Sequence, residues 1–353
     1  MSKPPKIKMA VVGLHFGQYI AEEHILTGAA SSMIELSGVC DLNPTLSAAL
    51  AAKHQIKQYH NLDEILQDPE VEAVGLFTGP NGRADLIRKL IRSGKHVMTT
   101  KPFERDADAA LAVLQEARSL NRVVHLNSPG PLPAVETQQM LDWMDEIDLG
   151  QPVSLHWETY ASYHNDADGS WYDDPLRCPV APIFRLGIYG LNQIIKLCGP
   201  VHSVGVVSSR IRTGRPTPDN AGLSLLFENG VVGSVHASFC VENGHHYPNA
   251  LTLHFERGTI RTSGWVTPDD KFPESKKLSL QQRDDNGRMT TKEVLFRGDA
   301  VEGDYQWSAF FKAVRSGEPL KYETTPEQVA NTVRVINAMA EAEQSGRQVL
   351  VLV

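Results

Sequence analysis

The sequence has little cysteine, and the cysteines it has are far apart. Only Cys40, Cys178, Cys198 and Cys240 occur in 353 residues. Small secreted domains that depend on disulfides carry more cysteines at closer spacing. We therefore exclude a disulfide scaffold and expect a protein of the reducing cytoplasm.

Long apolar runs and an excess of positive charge are also absent. No run approaches the roughly 18 apolar residues of a membrane-spanning helix, and Met9–Leu14 is too short for the core of a signal peptide. Asp and Glu number 42 against 34 Lys and Arg, a net charge of −8. Because nucleic-acid binding needs a basic face, we expect neither a membrane nor a nucleic-acid partner.

Residues 1–128 alternate short apolar strands with helical patterns, which predicts βαβ units and a doubly wound parallel sheet of the Rossmann type in an α/β protein. The predicted strands are Ile7–Val12, Ile34–Cys40, Ala73–Phe77, Lys95–Thr99 and Arg122–Leu126. The predicted helices are Gln18–Leu26, Thr45–Lys53, Leu62–Leu66, Arg83–Ser93 and Asp106–Ser119.

A run rich in turn residues, 127–133, marks the boundary of a second domain that we assign to residues 129–353. It is predicted to be an α+β domain with an open, largely antiparallel sheet. The predicted strands are Pro152–Ala161, His202–Arg212, Gly222–Phe227, Val231–Cys240, Ala250–Glu256 and Thr259–Thr262, and the predicted helices are Val135–Ile147, Gly303–Ser316 and Thr325–Ser345. An open apolar sheet needs cover, so we expect a homodimer or homotetramer.

The turn after the first strand has the position of a dinucleotide-binding loop. Gly13 would make the tight turn, and His15, Phe16 and Gly17 follow it into the first helix. Asp41 ends the second strand, where a carboxylate accepts ribose hydroxyls and disfavours a 2′-phosphate. We therefore predict NAD, with NADP as the alternative. His15 replaces a glycine of the usual pattern, so the turn is also compatible with a site that binds no cofactor.

Three further motifs resemble the Gfo/Idh/MocA family of sugar and inositol oxidoreductases. They are Thr78-Gly79-Pro80-Asn81, Gly94-Lys95-His96-Val97 and Lys101-Pro102, followed by Trp171–Pro175, Leu186–Asn192 and Gly199-Pro200. The resemblance covers almost the whole chain. It implies a nicotinamide cofactor held in part by Thr78, Pro80, Asn81 and Lys101, a sugar or polyol substrate, and proton transfer by Lys101.

The sequence departs from the family pattern at two motifs. Thr100 replaces the acidic residue before Lys101, and Arg185 and Tyr189 replace an Asp and a His. A tyrosine at the second position is similar to the glucose–fructose oxidoreductase branch, where it transfers the proton. The resemblance thus implies that Lys101 and Tyr189 are the catalytic residues.

Arg185, Tyr189 and Asn192 recur at one face of an otherwise apolar helix predicted over 183–198. A polar stripe in apolar surroundings needs partners or a wet cleft, which predicts a substrate site. A guanidinium there would favour an acidic sugar; an internal ion pair with Asp173 or Asp174 is the alternative. Trp171 offers an aromatic face to a sugar ring.

The sequence supports three hypotheses of function. The first is an NAD-dependent dehydrogenase that acts on a sugar, inositol or related polyol. The second is a non-catalytic relative that binds a sugar or nucleotide, and the third is a lyase or hydrolase that retains NAD as an internal redox group. A metal is not predicted, because His202, His236, His245, His246 and His254 lack the spacing of zinc ligands.

Overall fold

The computed structural model describes residues 4–163, 166–242, 249–263, 276–284, 286–296, 305–317 and 320–352. The chain divides into two compact units. The first unit comprises Met1–Leu132 and Gly303–Ala330, and the second comprises Pro133–Glu302 and Asn331–Val353. Both contain helices and a sheet, which confirms the predicted α/β class.

The first unit is built on a six-stranded sheet in the order β3-β2-β1-β4-β5-β6. Every neighbouring pair is parallel. The reversal of strand order at β1 and β4 is the arrangement of a doubly wound dinucleotide-binding fold, as predicted. The strands are β1 Ile7–Val12, β2 Ile34–Cys40, β3 Lys57–Gln58, β4 Ala73–Leu76, β5 His96–Thr99 and β6 Val124–Leu126.

Helices connect these strands and bury apolar side chains against the sheet. The first helix begins at Leu14, four residues earlier than predicted, because Gly13 forms its N-terminal cap. It continues without a break into a π-helical segment, Ile20–Leu26. The helices of this part are α1 Leu14–Tyr19, α2 Pro44–His54, α3 Leu62–Gln67, α4 Arg83–Arg92 and α5 Ala107–Ser119.

A late segment of the chain completes the first unit. The sequence prediction assigned everything after residue 128 to the second domain, whereas 303–330 belong to the first unit. The reason is packing: Tyr305, Trp307 and Phe310 are buried in one cluster with residues of β1 and β2. The helix that carries two of these rings is α8, Trp307–Ser316.

The second unit is built on a nine-stranded sheet in the order β14-β13-β12-β11-β7-β10-β9-β8-β15. All neighbouring pairs are antiparallel except β7 and β10. The predicted antiparallel character is thus confirmed. The strands are β7 Pro152–Tyr160, β8 Val201–Ser209, β9 Asn220–Phe227, β10 Val232–Ser238, β11 Asn249–Phe255, β12 Gly258–Ser263, β13 Lys276–Arg283, β14 Met289–Phe296 and β15 Val349–Leu350.

Helices cover one face of this sheet. The predicted helix over 183–198 consists of a π-helical turn, Ile183–Gly187, followed by α7, Ile188–Cys198. Gly190 lies directly against the indole of Trp157, and a Cβ at Gly190 would be 2.2 Å from its ring. This contact brings α7 close to β7. The other α-helices of the described residues are α6 Val135–Glu146 and α9 Pro326–Ser345.

Candidate active site

Four parallel strands of the first unit end in register at one edge. Val12 of β1 pairs with Cys40 of β2 and with Leu76 of β4, and Leu76 pairs in turn with Thr99 of β5. The residues that follow these strand ends therefore leave the sheet at the same edge. They are Gly13, Asp41, Thr78 and Lys101, all predicted site residues. In open α/β sheets, ligands bind at this carboxyl edge, next to the strand-order reversal.

Gly13 is required by the path of the backbone. Its φ is 86°, and a Cβ there would lie 2.9 Å from both the carbonyl carbon and the carbonyl oxygen of Phe77. Gly17 is required by packing, since its Cβ would lie 2.9 Å from Val11 Cγ1. The two glycines thus place the start of α1 directly on the sheet, where its N–H groups can receive a phosphate.

Asp41 contacts the same turn. Its carboxylate accepts hydrogen bonds from the backbone N–H of Leu14, at 2.6 Å, and of Asn43, at 2.8 Å. An ionised carboxylate has about four acceptor positions. Asp41 can therefore hold the loop and still accept ribose hydroxyls.

The other predicted cofactor contacts surround this turn. His15 and Phe16 are exposed, and the Phe16 ring packs edge-on against Phe77 at a centroid distance of 6.0 Å. Thr78 Oγ1 is buried without a hydrogen-bond partner among the described residues. An orphaned hydroxyl beside a glycine turn and helix N–H groups fits a polar dinucleotide. Pro80 is half-buried and Asn81 is exposed.

Lys101 lies in a turn that is fixed by its main chain. It is half-buried, and its N–H donates to Asn127 Oδ1 at 2.8 Å. The Lys101–Pro102 peptide bond is cis. The carbonyls on both sides of Lys101, those of Thr100 and Pro102, accept hydrogen bonds from the guanidinium of Arg83.

Arg185, in the second unit, is surrounded by aromatic rings. Its Cζ lies 4.0 Å from the ring centroid of Tyr172, 4.8 Å from that of Tyr163 and 4.9 Å from that of Phe239. Rings engage the faces of a guanidinium, whereas bidentate pairing with a carboxylate uses the N–H groups in its plane. The ring contacts and carboxylate binding therefore do not compete.

One of the acids predicted as an alternative partner of Arg185 pairs with another cation, Arg215. Asp173 accepts a hydrogen bond from Arg215 at 2.6 Å, and Asp168 pairs with the same guanidinium at 3.2 Å. Arg215 holds the pKa of the Asp168 carboxyl well below its usual range. Asp168 and Asp173 thus form an ion-pair network centred on Arg215.

Three predicted substrate-site residues lie close to Arg185 in sequence or space. The Trp171 ring contacts the Tyr172 ring at a centroid distance of 4.0 Å, so the structure connects Trp171 to the rings around Arg185. Tyr189 is half-buried, between the buried residues Ile188 and Gly190 of α7. Asn192 Oδ1 accepts a hydrogen bond from Thr332 at 2.7 Å, which ties the predicted stripe to α9.

Sequence reasoning missed the residues that hold the predicted ones in place. These are Arg83 and Asn127 around the Lys101 turn, and Tyr163, Tyr172 and Phe239 around Arg185. Tyr172 stands next to Trp171 in a motif of the sequence, and Asn127 is the first residue of the turn-rich run 127–133, but neither position indicates the contact that the residue makes. The others are distant in sequence from what they contact, and no spacing rule connects them.

No metal centre is found in the part of the chain that the structure describes. No group of three or more His, Cys, Asp or Glu among those residues is arranged to hold a metal ion. His245 and His246 lie outside the described residues. The described helices also include none that is long and apolar enough to cross a membrane.

Comparison with protein families gives two matches along the chain. Residues 7–128 match the model of an oxidoreductase family with an NAD-binding Rossmann fold. Residues 137–261 match the model of the GFO/IDH/MocA C-terminal domain. The two matches cover both the strand edge around Gly13 and the helix that carries Arg185 and Tyr189.

The matches to individual proteins have low sequence identity. An uncharacterized oxidoreductase of Schizosaccharomyces pombe is 29% identical over 206 residues, 57% of this chain and 54% of that protein. The match thus spans about half the length of that relative. A UDP-N-acetylglucosamine 3-dehydrogenase of Acidithiobacillus ferrooxidans is 23% identical over 240 residues, 66% of this chain and 67% of the relative.

Solved structures show the same fold over the full length. A levoglucosan dehydrogenase in complex with NADH and L-sorbose superposes with a TM-score of 0.73 at 18% identity. The match covers 98% of this chain and 99% of that one. At this identity the likeness establishes the fold, and the substrate must be argued from the residues.

Proposed function

Because this chain belongs to the Gfo/Idh/MocA family of oxidoreductases, we propose that it is a dehydrogenase of a sugar, inositol or related polyol. The observation that carries the proposal is the shared strand edge. Gly13, Asp41, Thr78 and Lys101 follow four strands that end in register, in a domain that matches an NAD-binding family. NAD, when bound, accepts or supplies the hydride.

The proton is moved by the chain's own residues. Oxidation of a carbinol releases a proton from oxygen, which needs a base within about 2.6–3.2 Å. We assign this work to Lys101, and we take Tyr189 as the second candidate, as the resemblance to the family implies. The fixed main chain of the Lys101 turn supports this assignment, because a proton-transfer group must be held in place.

The assignment of Lys101 is tested by Lys101→Ala, with Lys89→Ala as the matched control, since Lys89 is exposed on α4 of the same unit. We expect Lys101→Ala to bind NADH and to lose turnover by about 10²–10⁴-fold, the usual contribution of a general acid or base. Lys89→Ala should keep both. Full turnover in Lys101→Ala would refute the assignment. Tyr189→Phe removes only a hydroxyl and applies the same test to the second residue.

Asp41 determines the choice between the two nicotinamide cofactors. Its carboxylate beside the start of α1 should accept the ribose hydroxyls of NADH and repel the 2′-phosphate of NADPH. Calorimetric titration of the cofactor-free protein should show tighter binding of NADH. Asp41→Asn should narrow the preference by about tenfold, equal to about 1.4 kcal/mol. An unchanged ratio in that variant would exclude this role of Asp41.

Arg185 directs the proposal towards acidic sugars. Three aromatic rings contact its guanidinium, and a guanidinium that stacks on rings through its faces can bind a carboxylate in its plane. We expect uronates to be oxidised faster than the corresponding neutral sugars. Arg185→Gln should lower kcat/KM for the uronate by about 10–100-fold, since a hydrogen bond to a charged group contributes about 1.5–3 kcal/mol. Good turnover of neutral sugars and none of uronates would exclude an acidic substrate.

Two other functions are outcomes of the same experiments. Turnover without a net change in NADH would identify a lyase or hydrolase that uses NAD as an internal redox group. Binding of NADH or a sugar without any turnover would identify a non-catalytic relative. The replaced motif positions, His15, Thr100 and Arg185, are the feature that favours this last function.

A further inference from the structure

Arg83, at the start of α4, is one of the largest fully buried side chains of the described residues, with 1% of its surface exposed. Nη1 donates to the carbonyls of Thr100 at 2.5 Å, Pro102 at 2.5 Å and Phe103 at 3.1 Å. Nη2 donates to the carbonyl of Thr78. One guanidinium thus joins the turn that contains Lys101 to the loop that follows β4.

Burial of this cation has an energetic cost. Desolvation lowers the pKa of Arg83 to about 10, partly offset by the nearby carboxylate of Glu104. Glu104 is itself buried and accepts a hydrogen bond from the N–H of Ala84 at 2.8 Å. An apolar side chain could fill the same space without this cost. What it could not do is bind four carbonyls in two loops, a task that suits the planar, multiply donating guanidinium.

The Lys101 turn is also held from the opposite side. Asn127, directly after β6, accepts hydrogen bonds through Oδ1 from the N–H of Lys101 at 2.8 Å and from Thr100 Oγ1 at 3.3 Å. Arg83 therefore fixes the carbonyls on both sides of Lys101, and Asn127 fixes its N–H. Little main-chain freedom is left at Lys101.

We propose that Arg83 is a positioning residue, which holds the Lys101 turn and the loop after β4 in the relative arrangement that proton transfer requires. The proposal rests on the function assigned to Lys101 above. The hydrogen bonds that Arg83 donates to these loops go to main-chain carbonyls, so we infer that it acts through Lys101 and not on the substrate. A misplacement of a reacting group by about 1 Å can lower the rate about 100-fold, which sets the size of the expected effect.

The first test needs no activity. Hydrogen exchange is measured on the cofactor-free protein for wild type, Arg83→Lys and Arg83→Met. Arg88→Met is the control, because Arg88 lies on the same helix. Among the described residues its ion pairs are with Asp85 and Glu116, which lie outside the Lys101 turn. We expect about tenfold faster exchange in the peptide 99–104 for both Arg83 variants, and no change for Arg88→Met.

The second test separates positioning from general stability. Arg83→Lys keeps the positive charge, so it serves as the folded comparison if Arg83→Met does not fold. We expect its kcat to fall about 100-fold, and the Kd for NADH, which also depends on the loop after β4, to rise by a clearly smaller factor. Guanidinium chloride at millimolar concentration should restore part of the kcat of a folded Arg83→Ala protein, and methylammonium should not.

Wild-type exchange at 99–104 and wild-type kcat in Arg83→Lys would overturn the proposal. The proposed dehydrogenase function and the proposed role of Arg83 can be refuted independently of each other. If the wild-type protein shows no dehydrogenase activity with any sugar, the proposed function fails, and the exchange experiment still decides whether Arg83 holds the Lys101 turn.

Discussion

Gly13 and Gly94 have almost the same φ, 86° and 87°, but very different surroundings. A Cβ at Gly94 would contact nothing within 4 Å, whereas a Cβ at Gly13 would lie 2.9 Å from the backbone of Phe77. Both positions disfavour a side chain because of the positive φ. Only Gly13 also has a steric requirement, and this requirement lies at the proposed phosphate site.

We therefore predict different consequences for the two Ala substitutions. Gly94→Ala should cost about 1 kcal/mol of unfolding free energy, the strain of the backbone conformation. Gly13→Ala should cost more, about 3 kcal/mol, the upper end of the usual range, and should also abolish NADH binding, because the start of α1 must shift. Urea unfolding and NADH titration measure the two effects. Equal stability and intact NADH binding in both variants would contradict the role assigned to the Gly13 turn.

His125 of β6 is a second residue whose environment predicts a measurable effect. It is buried, its Nδ1 has no partner among the described residues, and its ring packs edge-on against Phe310. Burial lowers the pKa of His125 to about 3, against about 6.5 in an unfolded chain. Below pH 6.5 the unfolded state binds a proton that the native state does not, so stability falls as the pH falls towards 3.

The prediction concerns His125→Phe, which keeps a ring against Phe310 and removes the titrating group. Between pH 7 and pH 5 the wild type should lose about 2 kcal/mol through His125 alone, since each pH unit below 6.5 contributes about 1.36 kcal/mol. Urea unfolding should show that the variant loses about 2 kcal/mol less unfolding free energy than the wild type over this pH range. His60→Gln, at an exposed site, should behave as the wild type does. A wild-type loss in His125→Phe would show that the imidazole is not buried neutral.

At the scale of elements, the first residues of α9 form a reciprocal cap. Thr325 Oγ1 accepts from the N–H of Gln328 at 3.3 Å, and Gln328 Oε1 accepts from the N–H of Thr325 at 3.0 Å. Pro326 is the first residue of the helix. This start could be predicted from sequence, because a Thr cap followed by Pro is a local signal that needs no distant contact.

We expect Thr325→Ala to lower the unfolding free energy by about 0.5–2 kcal/mol, the usual cost of a lost cap. Thr325→Ser, which keeps the hydroxyl, should lose only a small part of this. Denaturant unfolding of the two variants and the wild type measures the difference. If Ala and Ser destabilise the protein equally, the hydroxyl is not the source of the stability.

Other elements could not be predicted in this way. β13 has only Leu278 and Leu280 as apolar residues in eight positions, and β14 is mostly exposed. Neither has the alternation that indicates a half-buried strand. They are strands because each pairs with its neighbour along its full length. The π-helical turn before α7 could not be predicted either, because Ile183–Cys198 has the apolar pattern of one continuous helix.

At the scale of the whole molecule, the sequence did not predict that residues 303–330 belong to the first unit. The apolar face of α8, with Trp307 and Phe310, has the pattern of any amphipathic helix. Its partners, such as Ile7 and Met9 of β1, lie about 300 residues earlier in the chain. Such a contact follows from the tertiary fold and leaves no local signal. The strand edge around Gly13 was predictable because βαβ topology itself brings strand ends together.

The packing of residues 303–330 in the first unit leads to a prediction for the cofactor-bound protein. A ligand that binds only the folded state stabilises it by about 2.7 kcal/mol at 100 times its Kd, which slows exchange through unfolding about 100-fold. Because α8 shares a buried cluster with β1, NADH should slow the most protected amides of both by the same factor, although α8 carries no proposed cofactor contact. The control is Gly13→Ala, in which NADH should slow neither. Slower exchange in β1 alone would show that α8 unfolds independently of the cofactor-binding sheet.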